Sequence, residues 1–497
     1  MATDDSLPLE LRSATELLSL LRTRKLSAVE LLEGHLARVE RFDREFNLVV
    51  ARDVEGARRA ARLADEATAR GDTTGRLHGL PMTLKDVWEA EGMTATCGFT
   101  HLANHRPTRD ADAVARLRDE GAVFFGKTNV PVGAGDHQSY NPVYGRSNNP
   151  WNPARTVGGS SGGAAGAVAA GLTALELGSD IGGSIRCPAH FCGVYGHKPS
   201  FGIVPMRGHI PPMPDGLAGI ELGVAGPIAR SAQDLELALD VLASPGELER
   251  GALRIEIPPS RQDNLRHFRV ALWADSTTLA VDARCLGAME EYASDLRRAG
   301  VHVDAKARPD FDPREVHKLY MDVLFSIFSG GMPEDALQAF QDAAKGLPPG
   351  DDSHPARIAR AIRMSHHEFM RLAEVRERLF RTWRRFFESY DLMLCPIMPT
   401  VAFPHDTSGD EFGHVAQYHR TTLVDGVRRP YLDGLQWPGV ATVANLPATA
   451  VPTGRLIDGL PMGLQVIGPY LEDRTPLRFA QLAEQELGGY VPPPAVR

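Results

Sequence analysis

The 497-residue chain has few cysteines, no excess of basic charge and no long uninterrupted apolar run. Its five cysteines, Cys97, Cys187, Cys192, Cys285 and Cys395, form an odd and scattered set. That excludes a disulfide framework and suits the reduced thiols of a cytoplasmic protein. Cys187 and Cys192 stand close together, but no H-E-x-x-H or paired C-x-x-C accompanies them, so they read as buried structural thiols and no metal site is expected. His366-His367-Glu368 has no further histidine at metal spacing and is expected on a helix surface. The most nearly apolar region, residues 162–178, carries Glu176 and is rich in glycine and alanine, a poor candidate for spanning a membrane. With 54 Lys and Arg against 63 Asp and Glu, the net charge is −9, which gives no electrostatic case for binding nucleic acid or an anionic membrane. The opening MATDDSLPLE is acidic and lacks the apolar core of a signal peptide.

What the chain does have is a dense knot of glycine and serine from Gly158 to Pro188, GGSSGGAAGAVAAGLTALELGSDIGGSIRCP. A flexible Gly/Ser linker has such composition, but the knots here are interrupted by Ala164 to Leu172 and by Leu175 and Leu177, which belong in a packed interior. Gly158 to Gly162 also fits G-x-S-x-G, the turn that presents a nucleophilic serine directly after a strand. The approach, Asn148-Asn149-Pro150-Trp151-Asn152-Pro153, holds two prolines and argues against a central strand there. A phosphate loop fails because no Lys-Ser/Thr pair follows the glycines. The remaining reading is a paired-serine site. Ser184 follows two glycines after a strand expected from Leu175 to Ser179, among backbone N–H groups from Ile181, Gly182, Gly183 and Ser184 itself that can face one spot where negative charge develops. Ser160 lies 24 residues earlier, where a helix opens. A free serine is a poor nucleophile and needs a base. The candidate is Lys85, at the end of the short apolar strand Met82 to Leu84, although a lysine so placed is more often a snorkelling or salt-bridged residue.

These residues resemble the amidase signature family, which includes bacterial amidases and fatty acid amide hydrolase. The matching pieces are GLPMTLKDV from Gly79, GKTNVP from Gly126, NPWNP from Asn149, GGSSGG, the run DIGGSIRCPAHFCGVYGHKP from Asp180 to Pro199, and GLPMGLQVIGP from Gly459. They occur in the family's order over most of the chain. His197 and Cys187 depart from the more usual aliphatic residues. The resemblance implies that Lys85 is the base, Ser160 a bridging serine and Ser184 the nucleophile of an acyl-enzyme. It further implies that Asp180 and Arg186 brace the nucleophile loop, and that the loop holding Ala134, Gly135, Asp136 and His137, together with Gln436 and Trp437, borders the substrate. Ser161 is expected to hold the lysine by hydrogen bonding. For this chemistry Lys85 must be neutral, so burial has to lower its pKa from about 10.4 toward roughly 7 to 8, a shift on the order of 4 kcal/mol. No organic cofactor or metal is then required.

The expected fold is an α/β/α sandwich, a large mixed sheet covered by helices on both faces. Ser13-x-x-Glu16 and Ser27-x-x-Glu30 open two helices, and a third runs from about Asp53 to Arg70. Residues 1–74 are expected as a helical layer on a catalytic domain of residues 75–497, with a helical insertion near 313–390. In the insertion, one face with Tyr320, Leu324, Phe325 and Phe328 and another with Leu379, Trp383, Phe386 and Phe387 read as packing faces, the alternative being a cap over the active site. The substrate is expected to be a small amide, ester or carbamate, acted on by a monomer or homodimer. Two other readings stay open: the A subunit of a tRNA-dependent amidotransferase, to be distinguished by a glutaminase assay, and an esterase of the α/β-hydrolase type using Ser160.

Overall fold

The computed structural model describes residues 7–73, 75–214, 216–408 and 419–497, so the first six residues of the acidic N-terminus lie outside it. An 11-stranded mixed sheet forms its centre. Its strands are β1 (Val49–Arg52), β2 (Pro81–Lys85), β3 (Val123–Thr128), β4 (Leu175–Asp180), β5 (Tyr195–Lys198), β6 (Val224–Ala229), β7 (Arg269–Leu272), β8 (His302–Asp304), β9 (Leu392–Pro396), β10 (Ala448–Ile457) and β11 (Leu460–Ile467). In space they run β1-β3-β2-β4-β6-β5-β10-β11-β9-β7-β8. The neighbours β3-β2-β4 and β9-β7-β8 are parallel, and the other pairings are antiparallel. The parallel strands β2, β3 and β4 are buried along their whole length, as strands covered on both faces must be.

The chain enters through α1 (Ala14–Arg22) and α2 (Ala28–Phe46). Both open with the expected capping boxes, on Ser13/Glu16 and Ser27/Glu30. The first 74 residues are not only helical, however. Asn47 ends α2 in the left-handed conformation, Asp43 accepts the N–H groups of Leu48 and Val49, and the chain turns into β1, which pairs with β3 at the sheet's edge. Then α3 (Val54–Arg70) begins at the cap Asp53 and ends at Gly71.

Next come α4 (Asp112–Asp119), α5 (Gly162–Ala169), α6 (Arg186–Cys192), α7 (Ala232–Leu242) and α8 (Ala283–Arg298). Every residue of α5 is buried, and its Gly/Ala composition lets it lie close to β4 and α6 within the interior. The insertion resolves into α9 (Pro313–Ser329), α10 (Glu334–Ala343), α11 (His354–Ala361) and α12 (His366–Ser389). His366 and His367 are exposed on the first turn of α12. The Trp383, Phe386 and Phe387 rings of α12 pack on one another inside the protein. The chain closes with α13 (Gln436–Thr442) and α14 (Arg474–Leu487). The five cysteines are free and buried, and among the described residues no helix is long and apolar enough to cross a membrane.

Candidate active site

β2 and β4 run side by side in parallel, with Leu84 opposite Leu177. Residues at their carboxyl ends therefore emerge together, the usual place for a site in an open α/β sheet. The last residue of β2 is Lys85 and the penultimate residue of β4 is Ser179. Lys85 is fully buried. Its Nζ lies 2.7 Å from Ser160 Oγ and 2.9 Å from Ser179 Oγ. Burial drives its pKa down to about 7, and the nearby Cys97, Asp180 and Glu176 only partly oppose that.

Ser160 and Ser161 precede α5 on the second serine-bearing segment. The approach to them, Asn152–Thr156, pairs with Asn148–Asn149 in a small two-stranded ribbon outside the main sheet. That removes the strand-to-serine turn required by an esterase elbow at Ser160. Gly159 has to be glycine because a Cβ there would sit 2.3 Å from the Asp136 carbonyl oxygen. The hydroxyl that meets Lys85 beside Ser160 belongs to Ser179, a residue that no motif in the sequence marks. Ser161 instead braces the Ser179 main chain, donating to its carbonyl at 3.3 Å and accepting its N–H at 3.4 Å.

Ser184 lies in the turn between β4 and α6, and Ser161 N–H donates to its carbonyl at 3.1 Å. No hydrogen bond joins Ser184 Oγ to Ser160 Oγ in this state; such contacts are often open before substrate binds. Of the four N–H groups in the turn, that of Gly183 is taken by Asp180 Oδ1 at 2.9 Å. Among the described residues, those of Ile181, Gly182 and Ser184 have no protein acceptor. Two carbonyls of the turn are pinned from outside: Ile181 O accepts from the Tyr320 hydroxyl of α9 at 2.8 Å, and Gly182 O lies 3.0 Å from His137 Nε2. Because the peptide is planar, fixing the Ile181 carbonyl also fixes the direction of the Gly182 N–H. Gly183 takes φ +96°, and a Cβ on it would meet Pro438 at 2.7 Å, so this position admits only glycine without displacement.

Asp180 and Arg186 form a bidentate pair at 2.8 and 3.0 Å with no exposed side-chain surface. Arg186 also donates to Pro438 O, Gln465 Oε1 and Thr442 Oγ1, tying the turn to α13 and β11. Burial acts to raise the Asp180 pKa, but the Arg186 charge and hydrogen bonds outweigh it and hold the carboxyl at about 2. A carboxyl depressed below its ordinary 3.8 contributes stability that is fully present above that value and is lost as pH falls through about 2. Arg186→Met strands the buried carboxylate, and chemical denaturation at neutral pH should show a loss of about 3–5 kcal/mol. Acidification toward pH 2 should narrow that gap.

A cleft opens over Ser184, Ile181 and Gly182. Ala134, Gly135, Asp136 and His137 line it. Gln436 and Trp437 do not: Trp437 is fully buried, packs edge-on against Trp273 at 5.1 Å and donates to Ala280 O. The residues of that segment that face the cleft are Leu432 and Leu435, from the turn just before α13. The opposite wall is Leu324, Phe325 and Phe328 of α9 with Met332 and Phe340, so α9 is both a packing helix and a wall of the site. Asp136 brings a carboxylate to the cleft, but Arg420 at 2.6 Å and the Tyr431 hydroxyl at 2.5 Å already occupy it.

Fold and site together define an α/β protein with a buried lysine at the carboxyl end of one parallel strand, paired to a serine near the end of the next strand and to another that precedes α5. The chain belongs to the amidase family, whose model, described as Amidase, matches residues 30–477. It is 31% identical over 493 residues to the A subunit of the glutamyl-tRNA(Gln) amidotransferase of Moorella thermoacetica, covering 95% of this chain and 96% of that protein. To the indoleacetamide hydrolase of Bradyrhizobium diazoefficiens it is 30% identical over 465 residues, 93% of this chain and 84% of that one. A bacterial aryl acylamidase of the amidase signature family has the same fold, with a TM-score of 0.80, 24% identity and 97% of each chain covered.

Proposed function

We propose that the protein is an amidohydrolase that cleaves the C–N bond of a neutral, apolar carboxylic amide through an acyl-enzyme on Ser184. The observation that carries the reading is the buried 2.7 Å contact between Lys85 and Ser160, beside a cleft that opens on Ser184. Neutral Lys85 draws the Ser160 proton while Ser160 takes that of Ser184, and Ser184 Oγ attacks the carbonyl carbon. The N–H groups of Ile181, Gly182 and Ser184 receive the developing oxyanion. The proton returns from Lys85 through Ser160 to the leaving nitrogen, which departs as the amine, and water repeats the cycle on the acyl-serine. Aryl amides, esters and carbamates, whose leaving groups depend less on protonation, enter the same route.

The base must be unprotonated, so kcat/KM should rise with pH through about 7 and level off above it. A pH–rate profile flat from 5 to 9 would contradict this role for Lys85.

The amidotransferase reading makes glutamine the test substrate, and glutamine brings both an ammonium and a carboxylate. Among the described residues, the cleft wall is apolar and its one carboxylate is already paired with Arg420, which favours an uncharged ligand. Anilides and primary amides of apolar acids should be turned over by the purified chain, and glutamine should not. Phe328→Ala, which removes part of the apolar wall, should raise KM for the aryl substrates more than it lowers kcat. Glutamine hydrolysis at a rate matching the apolar amides would replace this reading with the amidotransferase one.

A further inference from the structure

Lys85 has two hydroxyl partners but, when neutral, only one lone pair. A base works only if that lone pair faces Ser160, and the same amine could as easily accept a proton from Ser179. Something has to set the polarity of the Lys85–Ser179 contact.

His209 does so by geometry. It follows Gly208 in a loop stitched to the chain directly after Lys85: Glu89 N–H donates to Gly208 O at 2.8 Å, Ile210 N–H donates to Val87 O at 2.7 Å, and the ring stands edge-on to Trp88 at 4.8 Å. Its Nδ1 lies 2.7 Å from the Pro211 carbonyl oxygen. A carbonyl only accepts, so Nδ1 carries the proton. In the neutral ring Nε2 is then an acceptor, and it lies 2.8 Å from Ser179 Oγ. Ser179 must donate its hydroxyl proton there, which leaves its oxygen to Lys85 as an acceptor only. The lysine donates an N–H to Ser179, and its lone pair is left for the Ser160 hydroxyl.

We propose that His209 is a positioning residue that, through Ser179, orients the lone pair of Lys85 toward Ser160. This rests on Lys85 being the base, as argued above. The ring stays neutral because it is buried and faces the lysine, which bring its pKa to about 3. The charged or titratable groups that act on the lysine itself are Cys97, Asp180 and Glu176. If His209 were an imidazolium, Nε2 would donate to Ser179, the Ser179 proton would turn to Lys85, and the base would be occupied.

The test is a double-mutant cycle on the full-length enzyme with an apolar anilide. His209→Phe keeps a ring against Trp88 and removes the acceptor; kcat should fall up to about a hundredfold, the scale of a misaligned catalytic group, with KM little changed. The acid limb of its pH profile should move to lower pH, because Ser179 then donates to the neutral amine and favours that form. In a Ser179→Ala background, the same substitution should cost almost nothing further. An equal loss in both backgrounds, or an unmoved acid limb, would overturn the proposal by showing a merely structural role. Should His209→Phe not fold, His209→Gln carries the test, since its amide oxygen can take the Nε2 position. Its kcat should stay well above that of Ser179→Ala, and a value at or below it would overturn the proposal. Lys85→Ala, run alongside, separates the two ideas: near-normal turnover there removes the base reading itself, whereas inactive Lys85→Ala with a His209 effect independent of Ser179 removes only this inference.

Discussion

Lys85→Ala is expected to lower the acylation rate by about 10² to 10⁴, the usual contribution of a general base, while leaving the protein folded. The lysine enters a fully buried pocket, where its amine meets two serine hydroxyls. Replacing a buried amine with alanine removes its desolvation cost as well as its hydrogen bonds, so stability should not collapse along with activity. Single-turnover acylation and a thermal melt on the same sample check both halves. Lys85→Arg should not rescue activity, since a guanidinium remains protonated at any accessible pH and cannot act as the base. If Lys85→Ala turned over at near the wild-type rate at neutral pH, the proton route through Ser160 would be wrong.

Lys85, Ser160 and Ser184 stand out in the sequence by the composition of the short runs that hold them, and the family resemblance is what assigns them roles. A lysine ends an apolar strand, and serines lie among glycines that would otherwise be a poor choice in a packed interior. The prolines before Ser160 likewise point away from a central strand, and the small ribbon at residues 148–156 agrees. Ser179 is hidden because its importance comes from register: β4 must lie parallel to β2 before Ser179 stands beside Lys85. His209 depends on three segments meeting, and no local pattern carries that information. β1 is four residues long between two strongly patterned helices, too short for alternation to show. Trp437 stands close in the chain to residues that line the cleft, but the short helix turns it inward onto Trp273, and Leu432 and Leu435 face the cleft instead. The wall from α9 is half legible. Apolar spacing marks the helix, but only the tertiary fold shows that Phe325 and Phe328 face the cleft rather than the core.

If Ser184 forms the covalent acyl intermediate, labelling with a fluorophosphonate followed by peptide mapping should find it there. Such a probe reacts with an activated serine and stops at the stage that mimics the acyl-enzyme. Ser184 is positioned for this: it opens on the cleft, and its own N–H and those of Ile181 and Gly182 are, among the described residues, without protein acceptors. Ser160, in contact with Lys85, is 1% exposed. One adduct is expected, on Ser184, and the Ser184→Ala variant should be folded, unlabelled and inactive. Ser160→Ala should label slowly, because Ser184 keeps its place but loses its path to the base. An adduct on Ser160, with Ser184→Ala still labelled and still turning over amide, would make Ser160 the nucleophile instead.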